Sequence, residues 1–185
     1  MKHNNQNSRR DFLSTSLKGS LLVMAGFSST VMLQSFSPAS QAESEAEFRA
    51  RLGMLGSLSL ITSEIALSKA VNPKVKMFAK CEADEQKAIA TVLKELNTPI
   101  PPMDAKGKAV MDTLNAVSGA AFDKAFMQAQ HETHQQLKSL TGDFIKSTAG
   151  KTDMPEMHTR HIATVSHATI TEHTEKSKML LGELA

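Results

Sequence analysis

Four ionisable side chains lie on helix faces where apolar residues are expected. At about 100° per residue, each long helical segment places one such group on or beside its apolar stripe. These candidate metal ligands are Glu64, Glu82, His134 and His173, and Gln86 shares the stripe of Glu82. A buried carboxylate or imidazole is costly unless it is paired or bound to a metal. The pattern therefore predicts a polar site inside a helical protein.

Two interpretations of these groups are open. Bundle interiors hold carboxylate–histidine metal sites built from side chains on facing helices, and this donor set suits one divalent ion such as iron, zinc or copper. The other interpretation is a hydrogen-bonded polar network without a ligand. A helical wheel gives the face of each group and not its height along the bundle, so it does not choose between them.

The catalytic motifs of several enzyme classes are missing. Di-iron bundle proteins carry Glu-x-x-His on each of two helices, and this chain has no such motif; the nearest pattern is His131-Glu132-Thr133-His134. No nucleophile elbow or phosphate-binding loop is present. The sequence argues against a di-iron oxidase or ferroxidase and favours a non-enzymatic protein. A mononuclear site of His134, His173 and a carboxylate remains compatible with it.

Two further groups have soft donor atoms. Met154, Met157, His158 and His161 cluster at the start of the last predicted helix. Thioether and imidazole together favour copper, and the alternative is a solvent-facing helix start. Cys81, the single cysteine, excludes an intramolecular disulfide. We expect its thiol to be half-buried and inert.

The elements that position these residues are helices. Ala, Leu, Lys, Glu, Gln and Met dominate, and runs of β-branched residues are missing. Gly and Pro divide the chain into five predicted helices at about 45–71, 73–96, 104–117, 120–148 and 155–183. Four long helices and one short helix predict an all-α four-helix bundle with an extra connecting helix.

Several stretches resemble one protein family. They are SEIAL at 63–67, NPKVKMFA at 72–79, SGAAFDKAF at 118–126, and the later pair Glu172-His173. Together they resemble an exported bacterial family of unknown function with a ferritin-like fold, often labelled outer membrane protein. The resemblance covers essentially all of residues 43–185. It implies a ferritin-like four-helix bundle, usually periplasmic, with no established catalytic activity.

The resemblance also bears on the candidate site. Glu64, His134 and His173 match positions that hold Glu and His in the family. The family's second helix commonly carries an acidic pair followed by His. Here Gln86 follows Asp84 and Glu85, so one imidazole that the family pattern implies is missing.

The N-terminus has the pattern of an export signal. Arg9 and Arg10 are followed by Asp11-Phe12-Leu13, then a weakly apolar stretch over 20–36, then small residues up to Ala42. This pattern predicts a twin-arginine signal peptide at 1–42, cleaved after Ala42, and a bundle domain at 43–185. The expected partners are the twin-arginine translocase and a signal peptidase, and the expected location is the periplasm.

The charge balance narrows the possible partners. Of 21 Lys and Arg residues four lie in the predicted signal, and of 19 Asp and Glu residues one does. The remaining domain is close to neutral, which argues against general binding of nucleic acid. We also expect nothing after Ala42 to be apolar enough to cross a bilayer.

Two functions remain open for the exported domain. One is metal binding in the bundle interior, for metal handling or defence against envelope stress. The other is a non-enzymatic structural or interaction module with a dry polar interior, which would meet an envelope protein or a second copy of itself.

Overall fold

A computed structural model of the chain describes residues 44–185. Its helices are α1 (Glu45–Lys69), α2 (Pro73–Glu95), α3 (Ala105–Ala116), α4 (Gly119–Ser147) and α5 (Met154–Glu183). The described part of the chain contains no strand, so the predicted all-α bundle is confirmed. Each predicted boundary lies within two residues of the observed one. The signal residues Arg9, Arg10 and Ala42 lie outside the described residues.

Local sequence fixes where the first helices begin. The Ser44 hydroxyl accepts the backbone N–H of Glu47, and the Glu47 carboxylate accepts the backbone N–H of Ser44, which is a complete capping box. α2 begins at Pro73, a favoured first helical residue. The Asn72 side chain caps it by accepting the N–H of Lys74 over 2.8 Å. These caps satisfy backbone donors that a helix start leaves unpaired.

Side-chain pairings set the direction of each long helix. The three-residue connection between α1 and α2 makes them antiparallel neighbours. α4 is antiparallel to α1. Ser59 hydrogen-bonds to Gln130, whereas residues 71–72, which come later in the chain, hydrogen-bond to Asp123, which comes earlier in α4. α2 and α4 therefore run in the same direction. The connection between them crosses the length of the bundle and contains α3.

The bundle interior has three layers along its axis. One apolar cluster surrounds the α1–α2 connection and includes Phe78, Phe122 and Phe126. A second apolar cluster fills the opposite end and includes Phe48 and Phe144, whose rings stack with centroids 4.0 Å apart. Between the two clusters every long helix contributes buried polar residues. They are Ser59, Thr62 and Ser63 on α1, Glu82 and Gln86 on α2, Gln130, Thr133 and His134 on α4, and His173, Thr174 and Ser177 on α5. The candidate ligands of α2, α4 and α5 thus lie at one height.

Among the described helices, α1 alone is long and apolar enough to span a membrane, judged by length and composition. The expectation that no segment after Ala42 is apolar enough to cross a bilayer is therefore wrong for α1, judged by its length and composition. The core helix of a soluble protein passes the same test. In the bundle, α1 buries a face of small and polar residues against α2 and α4, including Ser59 and Ser63.

Candidate metal centre

The carboxylate of Glu82 lies at the centre of the polar layer. Its side chain is fully buried on α2 and is flanked by two imidazoles from different helices. Oε2 lies 2.6 Å from Nδ1 of His173 on α5 and 3.1 Å from Nε2 of His134 on α4. Two imidazoles therefore converge on a single carboxylate oxygen.

The other carboxylate oxygen is held by neutral donors. The Ser59 hydroxyl donates to Glu82 Oε1 over 2.6 Å, and the Gln86 amide donates to the same atom over 2.8 Å. Gly56 leaves the space that this amide occupies, because a Cβ built at Gly56 would lie 2.5 Å from Gln86 Oε1. These two donors on Oε1 and the two imidazoles on Oε2 together fix the orientation of the Glu82 carboxylate.

The contacts of His134 determine which ring nitrogen carries a proton. Nδ1 lies 2.7 Å from the backbone carbonyl oxygen of Gln130. A carbonyl oxygen only accepts, so Nδ1 carries a proton. In a neutral imidazole Nε2 then has only a lone pair, and that lone pair points at Glu82 Oε2. Two acceptors do not lie stably opposite each other, so the pair requires either a proton or another cation between the two atoms.

His173 connects the buried carboxylate to the surface. Its Nδ1 meets Glu82, and its Nε2 lies 3.5 Å from Oε1 of Glu85, whose side chain is partly exposed. Glu85 is one helical turn from Glu82 on α2, so both carboxylates lie on the side of α2 that faces α5. A carboxylate is therefore available on the solvent side of the imidazole.

The cluster shifts the titration of its members. Burial raises the pKa of Glu82, but the hydrogen bonds of His134 and His173 outweigh burial and hold this pKa below its usual range. Burial lowers the pKa of His173, but the hydrogen bond and charge of Glu82, with the charge of Glu85, outweigh it and raise this pKa. Burial raises the pKa of Glu85. The buried site thus favours an ionised carboxylate with positive charge beside it.

The three central residues are also close enough together to hold a metal ion. One donor atom from each of Glu82, His134 and His173 lies within 4.8 Å of the others, and all three residues are buried. A tetrahedral ion with bonds of about 2.0–2.2 Å holds its donor atoms roughly 3.3–3.6 Å apart. The donor atoms of His134 and Glu82, 3.1 Å apart, are close to this separation, whereas those of His173 and Glu82, 2.6 Å apart, must open by roughly 0.7–1.0 Å around such an ion. The bond from His134 Nδ1 to a carbonyl is the support that metal-bound imidazoles usually have.

Glu64 does not belong to this cluster. Its side chain is 49% exposed, and its carboxylate pairs with the Lys87 ammonium over 3.2 Å. The expectation that Glu64 faces the interior is wrong because α1 is apolar on most sides, and its wheel does not identify the buried face. Leu67 and Val71, which flank Glu64 on the wheel, are themselves exposed. Small and polar residues of α1, such as Ser59, face inward instead.

Some contributors to the centre were not predicted from the sequence. Ser59 and Glu85 were not among the candidates, although Ser59, Thr62, Ser63 and Ala66 repeat at helical spacing and form the buried face of α1. That repeat of small residues is a signal from which the inward face can be found. Gln130 of α4 also lies inside the layer and donates from Nε2 to Thr62 Oγ1 over 2.9 Å.

The other soft donors lie outside the centre. His158 and His161 are exposed near the start of α5, with ring centroids 6.5 Å apart, and Met154 is exposed beside them. Copper binding by this group remains a prediction. Cys81 is exposed, so the expectation of a half-buried thiol is wrong.

Comparisons with known proteins place the chain in a family. The fold is similar to that of a solved structure described as CopM in the Cu(II)-bound form, with a TM-score of 0.61 and 16% sequence identity over 76% of this chain and 97% of that chain. At this identity the similarity shows a shared fold alone. A search of curated protein sequences finds no match. The sequence model of a family described as a domain of unknown function, DUF4142, matches residues 32–180. The match covers most of the sequence, and the chain therefore belongs to the DUF4142 family.

Proposed function

We propose that this protein binds one divalent transition-metal ion in the bundle interior through Glu82, His134 and His173. The observation that carries the proposal is the orientation of His134. Its Nδ1 donates to a backbone carbonyl, which leaves Nε2 directed at the Glu82 carboxylate 3.1 Å away. A cation between these two atoms satisfies both of them.

The donor set limits the choice of metal. Two imidazoles and one carboxylate suit zinc, copper and iron, and they suit calcium and magnesium poorly. Copper has additional support, because a protein of similar fold was solved with Cu(II) bound. The carboxylate of Glu85, beside His173 Nε2, is available as a further ligand on the solvent side.

The proposed role is metal handling or defence against envelope stress, without catalysis. Arg9, Arg10 and the small residues ending at Ala42 support export through the twin-arginine route to the periplasm. A single long crossover between α2 and α4 is the connection that ferritin-like folds use, and it supports a ferritin-like description. The lack of Glu-x-x-His supports one ion and argues against a di-iron oxidase.

A second candidate function also has an observation in its favour. Both oxygens of Glu82 already have two hydrogen-bond partners each from protein side chains. With both imidazoles protonated, the cluster is satisfied without a metal. In that case the bundle serves as a structural or interaction module of the cell envelope, binding an envelope protein or a second copy of itself.

Elemental analysis of protein purified from its export pathway, without chelators or a histidine tag, separates the two functions. The comparison is with a His134→Ala/His173→Ala double variant and with His167→Ala. His167 is a matched control, because it is a partly buried histidine of α5 that contacts Thr141 instead of the cluster. Near-stoichiometric metal in wild type and control, lost in the double variant, supports the metal site. No metal in any of the three, with the double variant destabilised, supports the polar network.

A further inference from the structure

A surface groove between α2 and α5 lies directly above the candidate metal centre. It has a volume of about 260 Å³, and the rings of Phe78 and His173 are among the residues that line it. Three further lining residues carry sulfur, namely Met77, Cys81 and Met179. The groove thus brings together Cys81, the single cysteine, and two of the methionines in the described part of the chain.

Helix geometry accounts for this gathering. Met77 and Cys81 are four residues apart on α2 and so lie on one face of that helix. Met179 comes from α5, which approaches α2 here, since the rings of Phe78 and His173 have centroids 5.2 Å apart. The sulfur atoms therefore come from both walls of the groove.

Packing does not explain why these residues are here. Met77 is 62% exposed and Met179 is 58% exposed, and Cys81 is exposed as well. A methionine in a core fills space with its thioether, whereas these side chains have much of their surface in water. Their flexible thioethers can turn toward an ion held over the groove.

The charges around the groove select against hard cations. Its described lining includes no Asp or Glu. The two lining lysines are each paired with an acidic residue of α5, Lys74 with Glu183 over 2.7 Å and Lys176 with Glu172 over 2.6 Å. The lining therefore offers no free carboxylate to ions that prefer oxygen ligands, whereas thiolate and thioether ligands favour soft ions such as Cu(I).

We propose that Met77, Cys81 and Met179 form a surface site for a soft monovalent ion, Cu(I) or Ag(I). Cys81 binds as the thiolate and releases its proton to solvent, and the two thioethers complete a three-sulfur site. This site is distinct from the buried one in donor chemistry, because sulfur replaces imidazole and carboxylate. It does not depend on metal binding in the interior.

The decisive experiment measures the affinity for Ag(I), and for Cu(I) under anaerobic conditions, by competition with a chelator of known affinity. The key variant is Met77→Leu/Met179→Leu, which keeps Cys81 and replaces only the thioethers. Met111→Leu is the matched control, since Met111 is a partly buried methionine of α3 that lies outside the groove. Circular dichroism checks that each variant is folded.

The expected result is wild-type affinity in Met111→Leu and affinity weaker by about tenfold or more in the double-methionine variant. Cys81→Ser is expected to lose the site. Equal affinity in wild type and the double-methionine variant would show that Cys81 binds as a lone exposed thiol and would overturn the proposal.

A His134→Ala variant separates this site from the buried one. It removes a ligand of the proposed interior centre and leaves the groove lining intact. Unchanged Ag(I) affinity, with divalent binding lost, shows two independent sites. If wild type binds no divalent ion, the Ag(I) result still stands alone. A parallel loss of Ag(I) binding in His134→Ala would place the ion in the interior and overturn the groove site.

Discussion

Gln86 donates a hydrogen bond from Nε2 to Oε1 of Glu82 over 2.8 Å, one helical turn along α2. The family resemblance places a histidine at this position, and the structure shows that the position faces the candidate centre. Loss of an outer partner of this kind typically weakens metal binding by about 10–100-fold. We expect Gln86→Ala to weaken divalent binding within this range and Gln86→His to strengthen it by adding an imidazole. Metal titration of both variants checks this, and equal affinities would contradict it.

Removal of the His134 ring is expected to destabilise the metal-free protein. His134→Ala leaves His173 as the single partner of Glu82 Oε2 and removes the imidazole donor from the Gln130 carbonyl. The expected loss in the free energy of unfolding is about 1–3 kcal/mol. Urea denaturation in the presence of a chelator measures it. The control is His161→Ala, an exposed residue of α5, which should change stability by less than about 0.5 kcal/mol.

The stability of the metal-free protein is expected to depend on pH in two steps. The lowered pKa of Glu82 gives a contribution that is present above its ordinary value of 4.5 and is lost as pH falls through the folded-state pKa. The raised pKa of His173 gives a contribution that is full below its ordinary value of 6.5 and is lost as pH rises through the folded-state pKa. Both contributions are present together between about pH 4.5 and 6.5.

Denaturation curves with a chelator from about pH 2 to pH 9 test both steps. His173→Ala should remove the loss at high pH and leave stability flatter there. Bound metal should also reduce that loss, because the ion replaces the proton between imidazole and carboxylate. A wild-type stability that rises from pH 6 to 9 without metal would contradict the prediction.

Asp123 is expected to stabilise the fold without affecting metal binding. Its buried carboxylate accepts the backbone N–H groups of Val71 and Asn72 over 3.0 and 2.8 Å, which ties the α1–α2 connection to α4. Asp123→Ala leaves both donors unpaired and should cost about 1–3 kcal/mol. Asp143→Ala on the exposed face of α4 is the control. Chemical denaturation gives the cost, and elemental analysis should show unchanged metal content.

The N-terminal motif has its own test. Changing Arg9 and Arg10 to Lys should block export, because the twin-arginine route reads the arginine pair. Fractionation of cells into cytoplasm and periplasm gives the result. Unimpaired export of the variant would point to the general secretory route.

The sequence predicts most of the fold because its helix boundaries are marked chemically. Pro73 and the prolines at 99–102 separate three helices, and Gly150 at φ 79° lies between the last two. The interior positions of Glu82, His134 and His173 are also predicted from the sequence. Each lies on or beside an apolar stripe, clearly defined in α2 and α4 and less so in α5, so an exception to the stripe is visible.

The rest of the site depends on packing that a helical wheel does not contain. α1 has apolar residues on most sides, so its orientation is decided by which residues allow close approach. Ser59 and Gly56 allow it, and Glu64 faces solvent as a result. The shared height of the ligands also comes from tertiary structure, since it requires the two apolar clusters to lie on either side of them on all four helices.

The layered interior also specifies how the helices align along their axes. Sliding α2 by one turn, about 5.4 Å, would move Glu82 out of reach of both imidazoles and toward an aromatic cluster. A buried unpaired carboxylate carries a penalty of several kcal/mol, whereas apolar side chains at either end tolerate many alternative matches. The polar layer therefore specifies the register of the helices. A single buried polar residue sets helix register in coiled coils in the same way. This selection among bundle alignments operates in the metal-free chain as well.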